Sequence, residues 1–137
     1  MKELTVAAAV ESIETVTAFV EGLLEELDCP MKAQMQISIA IDELFGNIAH
    51  YAYPSGEGEA VVRFEAAEDM KSVVITFIDQ GVPYNPLTAE EPDITLSAED
   101  RRPGGLGIFM VRKSMDEMTY RYENGSNILS IRKNLRS

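Results

Sequence analysis

The chain has 137 residues, of which 45% are hydrophobic and 26% are charged, with 9 glycines and 6 prolines. This composition is typical of one globular domain that is long enough to bury a core, and it excludes a collagen-like or disordered chain. The formal net charge of −11 argues against a nucleic-acid-binding surface, because a phosphate backbone is repelled by such a field. A partner with a basic surface suits the chain better.

The cysteine content and the N-terminal segment indicate where the protein works. Cys29 is the single cysteine, so no internal disulfide can form, and the first residues do not have the basic and apolar regions of a signal peptide. The longest apolar stretches fall far below the roughly 18 residues that span a bilayer. We therefore expect a cytoplasmic protein with no membrane segment.

Two amphipathic helices are predicted in the first part of the chain. Residues 4–6 form a short strand candidate, and apolar residues then recur at helical spacing from 10 to 27. Cys29-Pro30 ends this helix, and a second helix follows and stops before Pro54. The second helix has an apolar stripe made of Ile37, Ile41, Leu44 and Ile48.

Two strands and a long loop follow. Residues 60–65 alternate between apolar and polar, and residues 73–78 form a nearly continuous apolar run, with a turn around 69–71 between them. The segment 84–103 is rich in prolines and acids and lacks periodicity. A loop of this length in a compact domain is typically functional or disordered, so we interpret it as a lid.

The last part of the chain predicts a helix over 108–115 and a hairpin of strands 117–123 and 128–133. The two strands are joined across Asn124-Gly125, which is a strong signal for a two-residue turn. Strands that are segregated from helices in this order indicate an α+β fold. We predict a single domain over 1–137, built as a two-layer sandwich with a mixed sheet and helices on one face.

The second predicted helix carries a polar pair, Glu43 and Asn47, which share one face because they are four residues apart. His50 and Tyr51 continue this face. An amide oxygen is a good ligand for Mg²⁺, which takes few protein ligands when phosphates complete its shell, and this indicates a metal role for Asn47. A carboxylate one turn earlier can accept a proton in phosphoryl transfer, which indicates a catalytic role for Glu43. Alone, the pair would be interpreted as solvated polar residues.

A second polar motif begins where the strand over 73–78 ends. Asp79 follows six apolar residues, where a buried carboxylate needs a partner, and Gly81 and Pro83 then turn the chain. Alone, this motif would be interpreted as an ordinary strand-end Asp-x-Gly turn.

A third motif is a glycine-rich segment before the predicted helix over 108–115. Backbone N–H groups at a helix N-terminus point toward bound anions, and glycines allow close approach. Arg101 and Arg102 stand just before it and can reach a terminal phosphate if the lid closes, or else form a solvated pair. The segment consists of Gly104, Gly105, Leu106 and Gly107.

The order and spacing of the three motifs resemble the nucleotide-binding boxes of the GHKL ATPase superfamily, and in particular the short anti-sigma factor serine/threonine kinases of bacteria. The resemblance implies that Asp79 accepts a hydrogen bond from the exocyclic amine of adenine and that Gly81 gives the base room. It also implies the two-layer sandwich already predicted, with ATP and Mg²⁺ as cofactors. A sensor histidine kinase also needs a phosphoacceptor segment, and a gyrase or chaperone relative needs a transducer domain. Because these 137 residues leave no room for either, we expect a free-standing kinase.

Proteins of this type phosphorylate a small anti-anti-sigma (STAS-type) partner, bind a sigma factor and dimerise, so the resemblance implies these partners and a homodimer. The alternative is a catalytically weak, ATP-gated binding module for partner switching. A scaffold unrelated to ATP would require all three motifs to be coincidental.

The sequence departs from the family pattern at two places. The position four residues after Asn47 is often histidine in the family, and here it is Tyr51, with His50 one residue earlier. The family's adenine-binding hydroxyl in the last strands has no clear match, and Ser126 and Ser130 are both candidates for it. The roles of these four residues stay open.

Overall fold

The computed structural model describes residues 1–54, 56–88 and 105–135. Within them a five-stranded sheet is covered on one face by helices, which confirms the predicted α+β class. The elements in chain order are β1 Lys2–Ala7, α1 Ile13–Glu26, α2 Met31–Asn47, β2 Glu59–Ala66, β3 Ser72–Asp79, α3 Gly105–Ser114, β4 Glu117–Glu123 and β5 Ser126–Asn134.

The strands lie in the order β1-β2-β3-β5-β4, and each described pair of neighbours is antiparallel. The prediction of a mixed sheet is therefore wrong in this detail. The connection from β3 through α3 to β4 makes those two strands parallel, but β5 folds back from β4 and lies between them. Because β5 pairs antiparallel with both β3 and β4, these two strands run parallel without being hydrogen-bonded to each other.

The β4–β5 hairpin has the predicted two-residue turn. Glu123 pairs with Ser126, and the two turn residues, Asn124 and Gly125, have φ angles of 53° and 79°. Positive φ at both positions is the requirement of the hairpin turn whose twist matches the strands, and Asn-Gly meets it at low cost. β5 begins at Ser126, two residues earlier than predicted.

The core lies between the helices and the inward face of the sheet. All four residues of the predicted stripe on α2 are buried, and on β3 every second residue is buried. This period of two places Asp79, the last residue of β3, on the inward face together with Val73, Ile75 and Phe77. A charged side chain therefore occupies the last core-facing position of a central strand.

Several predicted boundaries move. Residues Val10–Ser12 form a 3₁₀ turn before α1, and α2 continues into a π-helical turn at Ile48–Ala52. In the predicted lid, Pro86–Thr88 form another 3₁₀ turn, and residues 89–103 lie outside the described residues. Among the described residues, no helix combines the length and the apolar character needed to cross a bilayer.

Thr17 on α1 has a buried hydroxyl oxygen that finds no hydrogen-bond partner among the described residues. Thr17→Val keeps the shape and removes this unsatisfied group, so we expect the free energy of unfolding to rise by about 1 kcal/mol. Urea denaturation checks this. Thr15→Val, the same change at an exposed position of α1, is the control and should be near neutral. A loss of stability in Thr17→Val alone would show that the hydroxyl has a partner in solution.

Candidate functional site

A pocket opens between the C-terminal end of α2 and the adjoining ends of β3 and β5. Asn47 and Tyr51 line it from the helix side, and Asp79 lines it from the sheet. The first and second sequence motifs therefore meet at one cavity. Its walls also include apolar side chains from both layers, among them Leu44, Ile48, Phe77 and Leu129. An apolar cleft with a few fixed polar groups is the usual form of a site for a small organic ligand.

Asp79 is 5% exposed and is held by two donors. Its Oδ1 accepts hydrogen bonds from the backbone N–H of Gly81 at 2.9 Å and from Nδ2 of Asn127 at 2.9 Å. Among the hydrogen bonds of the described residues, none uses Oδ2. Because both donors bind Oδ1 and Asp79 lines the pocket, its second oxygen is suited to accept a hydrogen bond from a ligand that enters there.

Gly81 lies directly against the π-helical turn that follows α2. A Cβ built on Gly81 would overlap the carbonyl group of Ala52, and the next residue, Val82, donates its backbone N–H to that carbonyl at 2.9 Å. Glycine is thus required here for close backbone packing, which is a reason that the sequence did not reveal. π-Helical turns are frequent at functional sites, and this one joins the end of α2 to the turn after Asp79.

Glu43 and the third motif are also neighbours. A Cβ built on Gly107 would overlap the carboxylate of Glu43, so the side chain from α2 lies over the start of α3. Gly105, Leu106 and Gly107 form the first turn of α3, whereas the sequence predicted a helix starting only at Ile108. The first N–H groups of a helix have no partner within the helix. Arg101, Arg102 and Gly104 lie outside the described residues.

Asn127 is the main site residue that sequence reasoning missed. It is 6% exposed, lines the pocket and pairs across the sheet with Asp79. Ser130, one of the two hydroxyl candidates, instead contacts Thr76 on the opposite face of the sheet at 2.9 Å, and Ser126 does not line the pocket. The signal was available: Asn127, Leu129 and Ile131 share one face of β5, so an amide stands in an otherwise apolar row.

Two tyrosines near Asp79 have altered acidity. Burial raises the pKa of Tyr120, the backbone N–H of Tyr84 acts against this, and the negative charge of Asp79 raises the pKa further. Burial likewise raises the pKa of Tyr53, whose oxygen accepts from the N–H of Gln80 and donates to the carbonyl of Glu59. Both phenols therefore stay protonated near neutral pH, and Tyr120 can donate to Asn127.

His50 and Tyr51, whose roles the sequence left open, both lie in the π-helical turn but differ in their relation to the pocket. Tyr51 lines the pocket and is half exposed, whereas His50 is exposed and does not line it. Within the described ranges no group of three His, Cys, Asp or Glu side chains is placed to hold a metal ion. A metal at this pocket would therefore need oxygens from its ligand in addition to the amide oxygen of Asn47.

The sequence matches the histidine kinase-like ATPase domain family over residues 6–133. The chain belongs to this family. The match confirms the resemblance to GHKL ATPases, and the pocket lined by Asn47 and Asp79 is accordingly the candidate ATP site of a histidine kinase-like ATPase domain.

Several relatives of this histidine kinase-like ATPase domain are named as kinases. The serine/threonine-protein kinase BtrW of Bordetella bronchiseptica is 26% identical over 73% of this chain and 70% of its own length. The serine-protein kinase RsbW of Halalkalibacterium halodurans is 28% identical over 90% of this chain and 76% of its own, and RsbW of Bacillus mycoides is 24% identical over 93% and 81%.

A solved structure has the same fold. The crystal structure of the RsbU and RsbW domains of Rv1364c from Mycobacterium tuberculosis matches 98% of this chain with a TM-score of 0.65 at 18% identity. The chain covers 33% of that longer protein. The likeness supports the two-layer architecture of the histidine kinase-like ATPase domain.

Proposed function

We propose that this protein is an ATP- and Mg²⁺-dependent serine/threonine kinase of the anti-sigma factor type. The observation that carries the proposal is that Asn47 and Asp79, from two motifs, line one pocket. Glu43, one turn before Asn47 on α2, links this helix to the third motif at Gly107. The names of the relatives support kinase chemistry. The protein substrate is a small anti-anti-sigma (STAS-type) protein, the second partner is a sigma factor, and the working form is a cytoplasmic homodimer.

Each residue has a distinct task in this proposal. Asp79 accepts the adenine amine through Oδ2, which the described hydrogen bonds leave available, and Asn47 supplies an amide oxygen to Mg²⁺. The first turn of α3 faces the phosphates with its backbone N–H groups. Bound Mg²⁺ would neutralise phosphate charge that develops during transfer. Glu43 accepts the proton of the attacking hydroxyl.

The rest of the phosphate site stays a prediction from sequence. Gly104 would extend the N–H groups at the start of α3, and Arg101 and Arg102 would meet the γ-phosphate. Gly81 keeps the turn after Asp79 against Ala52, and any direct contribution of Gly81 to base binding belongs to the same proposal.

Calorimetry with ATP and Mg²⁺ tests the proposed metal role. We expect wild type to bind ATP more tightly with Mg²⁺ than with a chelator, and Asn47→Ala to lose this difference because the amide ligand is gone. Gln36→Ala is the control, because Gln36 is on α2 like Asn47 but does not line the pocket. Equal ATP affinity with chelator and with Mg²⁺ in wild type would remove Asn47 from the metal site.

Substitution of Gly107 tests whether the position of Glu43 matters. In Gly107→Ala the new methyl group displaces the Glu43 carboxylate, and a catalytic group misplaced by about 1 Å costs on the order of 10²-fold in rate. We expect that loss in single-turnover phosphorylation. Gly46→Ala is the matched control, because a Cβ there meets nothing within 4 Å and improves helix propensity. Wild-type rates in Gly107→Ala would contradict the proposed placement of Glu43.

A further inference from the structure

Asn127 uses every hydrogen-bonding group of its side chain. Its Nδ2 donates to Oδ1 of Asp79 at 2.9 Å and to the carbonyl of Val82 at 2.9 Å, with a longer contact to the carbonyl of Gly81 at 3.4 Å. Its Oδ1 accepts from the backbone N–H of Tyr84 at 3.1 Å and from the hydroxyl of Tyr120. A primary amide has two donor hydrogens and two acceptor lone pairs, so this buried side chain is fully satisfied.

The partners of Asn127 come from three parts of the site. Asp79 ends β3, Tyr120 belongs to β4, and residues 81–84 are the segment that leaves the sheet after Asp79. The position of Asn127 itself is fixed by strand pairing, because it lies opposite Asp79 on one side and opposite Tyr122 on the other. A side chain on a central strand thus holds both the pocket carboxylate and the first residues of the following segment.

We propose that Asn127 is a positioning residue for base recognition: it fixes the Asp79 carboxylate with Oδ1 bound inside the protein and Oδ2 turned to the pocket. This inference rests on the proposed function, because it needs Asp79 to accept the adenine amine. The carboxylate of Asp79 has one internal side-chain donor among the described residues, and that donor is Asn127. Without it, only the N–H of Gly81 holds Oδ1, and the carboxylate is free to turn about its terminal torsion.

Only an amide meets all these demands at once. A carboxylate at position 127 cannot donate to Asp79 and would place like charges together, and an aliphatic side chain would leave the Val82 carbonyl and the Tyr84 N–H without a partner. A hydroxyl offers a single donor hydrogen, which is one fewer than the bonds to Asp79 and Val82 use. The residue type is therefore explained by the network and not by packing alone.

The test compares ATP with purine riboside triphosphate, which lacks the exocyclic amine but is otherwise the same ligand. In wild type we expect ATP to bind at least about tenfold more tightly, the typical effect of a hydrogen bond to a charged group. In Asn127→Ala this ratio should fall to within about threefold of one. The KM for ATP should rise while kcat stays near wild type, because Glu43 and α3 are not touched.

Three further variants separate positioning from general damage. Asn134→Ala, on the same strand but outside the pocket, should keep the wild-type ratio. Threonine is a good strand former, so Asn127→Thr provides a second test if the alanine variant unfolds. It should also lose the preference for ATP over purine riboside triphosphate. In an Asp79→Asn background, Asn127→Ala should cause no further loss of the ratio, because the two residues act through one contact.

The outcomes distinguish this inference from the proposed function. A wild type that binds the two triphosphates equally would overturn the contact between Asp79 and adenine, and the positioning role with it. A wild type that prefers ATP, together with folded Asn127→Ala and Asn127→Thr variants that keep this preference, would overturn the role of Asn127 alone. Thermal unfolding of each variant, measured without nucleotide, confirms that the compared proteins are folded.

Discussion

Glu43→Gln is expected to bind ATP as wild type does and to lose about 10²- to 10⁴-fold in the single-turnover rate of phosphoryl transfer, the usual contribution of a positioned acid–base group. The substitution keeps the size of the side chain that lies over Gly107 but removes its ability to take a proton. Because Glu43 does not line the pocket formed by Asn47 and Asp79, nucleotide affinity should change little.

The measurement is single-turnover phosphorylation of a small anti-anti-sigma protein encoded nearby, at saturating ATP. Asp42→Asn is the matched control, since it removes an exposed carboxylate from the adjacent position of α2 and should leave the rate unchanged. A Glu43→Gln variant that works at the wild-type rate would exclude the general-base role. A wild type that binds ATP but phosphorylates no such partner would favour the ATP-gated binding module.

Asp79→Asn should weaken ATP binding by about 1.5 to 3 kcal/mol, or about 10- to 150-fold, the range for a hydrogen bond to a charged group. The two internal donors, Gly81 N–H and Asn127 Nδ2, require an acceptor at Oδ1. The new amide must therefore keep its oxygen inward and turn its NH₂ group to the pocket, where it meets the donor of adenine. The fold is retained while the recognition of the base is lost.

Calorimetry with ATP and GTP checks this prediction. GTP should bind poorly to wild type, because its exocyclic oxygen offers no donor to Asp79. Asp69→Asn is a close control: Asp69 accepts the backbone N–H of Lys71 at 2.9 Å, the same local bond that Asp79 makes with Gly81, but at an exposed turn. Equal affinities of wild type for ATP and GTP would rule out the contact with adenine.

Much of the fold follows from local sequence patterns. The helical stripe on α2, the apolar run of β3 and the Asn-Gly turn each depend on neighbouring residues, and each is confirmed. The antiparallel order of the sheet was not predicted. It depends on β5 pairing with β3 as well as with its hairpin partner β4. That choice is made by long-range packing, which the spacing of residues along the chain does not report.

The candidate site also contains residues that local sequence patterns predict and residues that only long-range packing places. Glu43, Asn47 and Asp79 were predicted as site residues because their motifs are short and local. Asn47 and Asp79 line one pocket, and Glu43 lies against Gly107. Asn127 was missed because its strand was predicted to begin at Ile128, so the amide did not count as an inward position. The close packing of Gly81 on Ala52 likewise depends on a π-helical turn that no local pattern predicts.

The π-helical turn has a consequence for how the site can respond to a ligand. Ala52 is held by the backbone N–H of Val82, so α2 and the turn after Asp79 are joined through main-chain atoms, whichever side chains they carry. The same helix bears Glu43 and Asn47, and packed secondary elements move as rigid units. Under the proposed function, a nucleotide that shifts the turn beside its base is therefore expected to move the helix that carries the proposed proton acceptor, so that both ends of one ligand would act on α2.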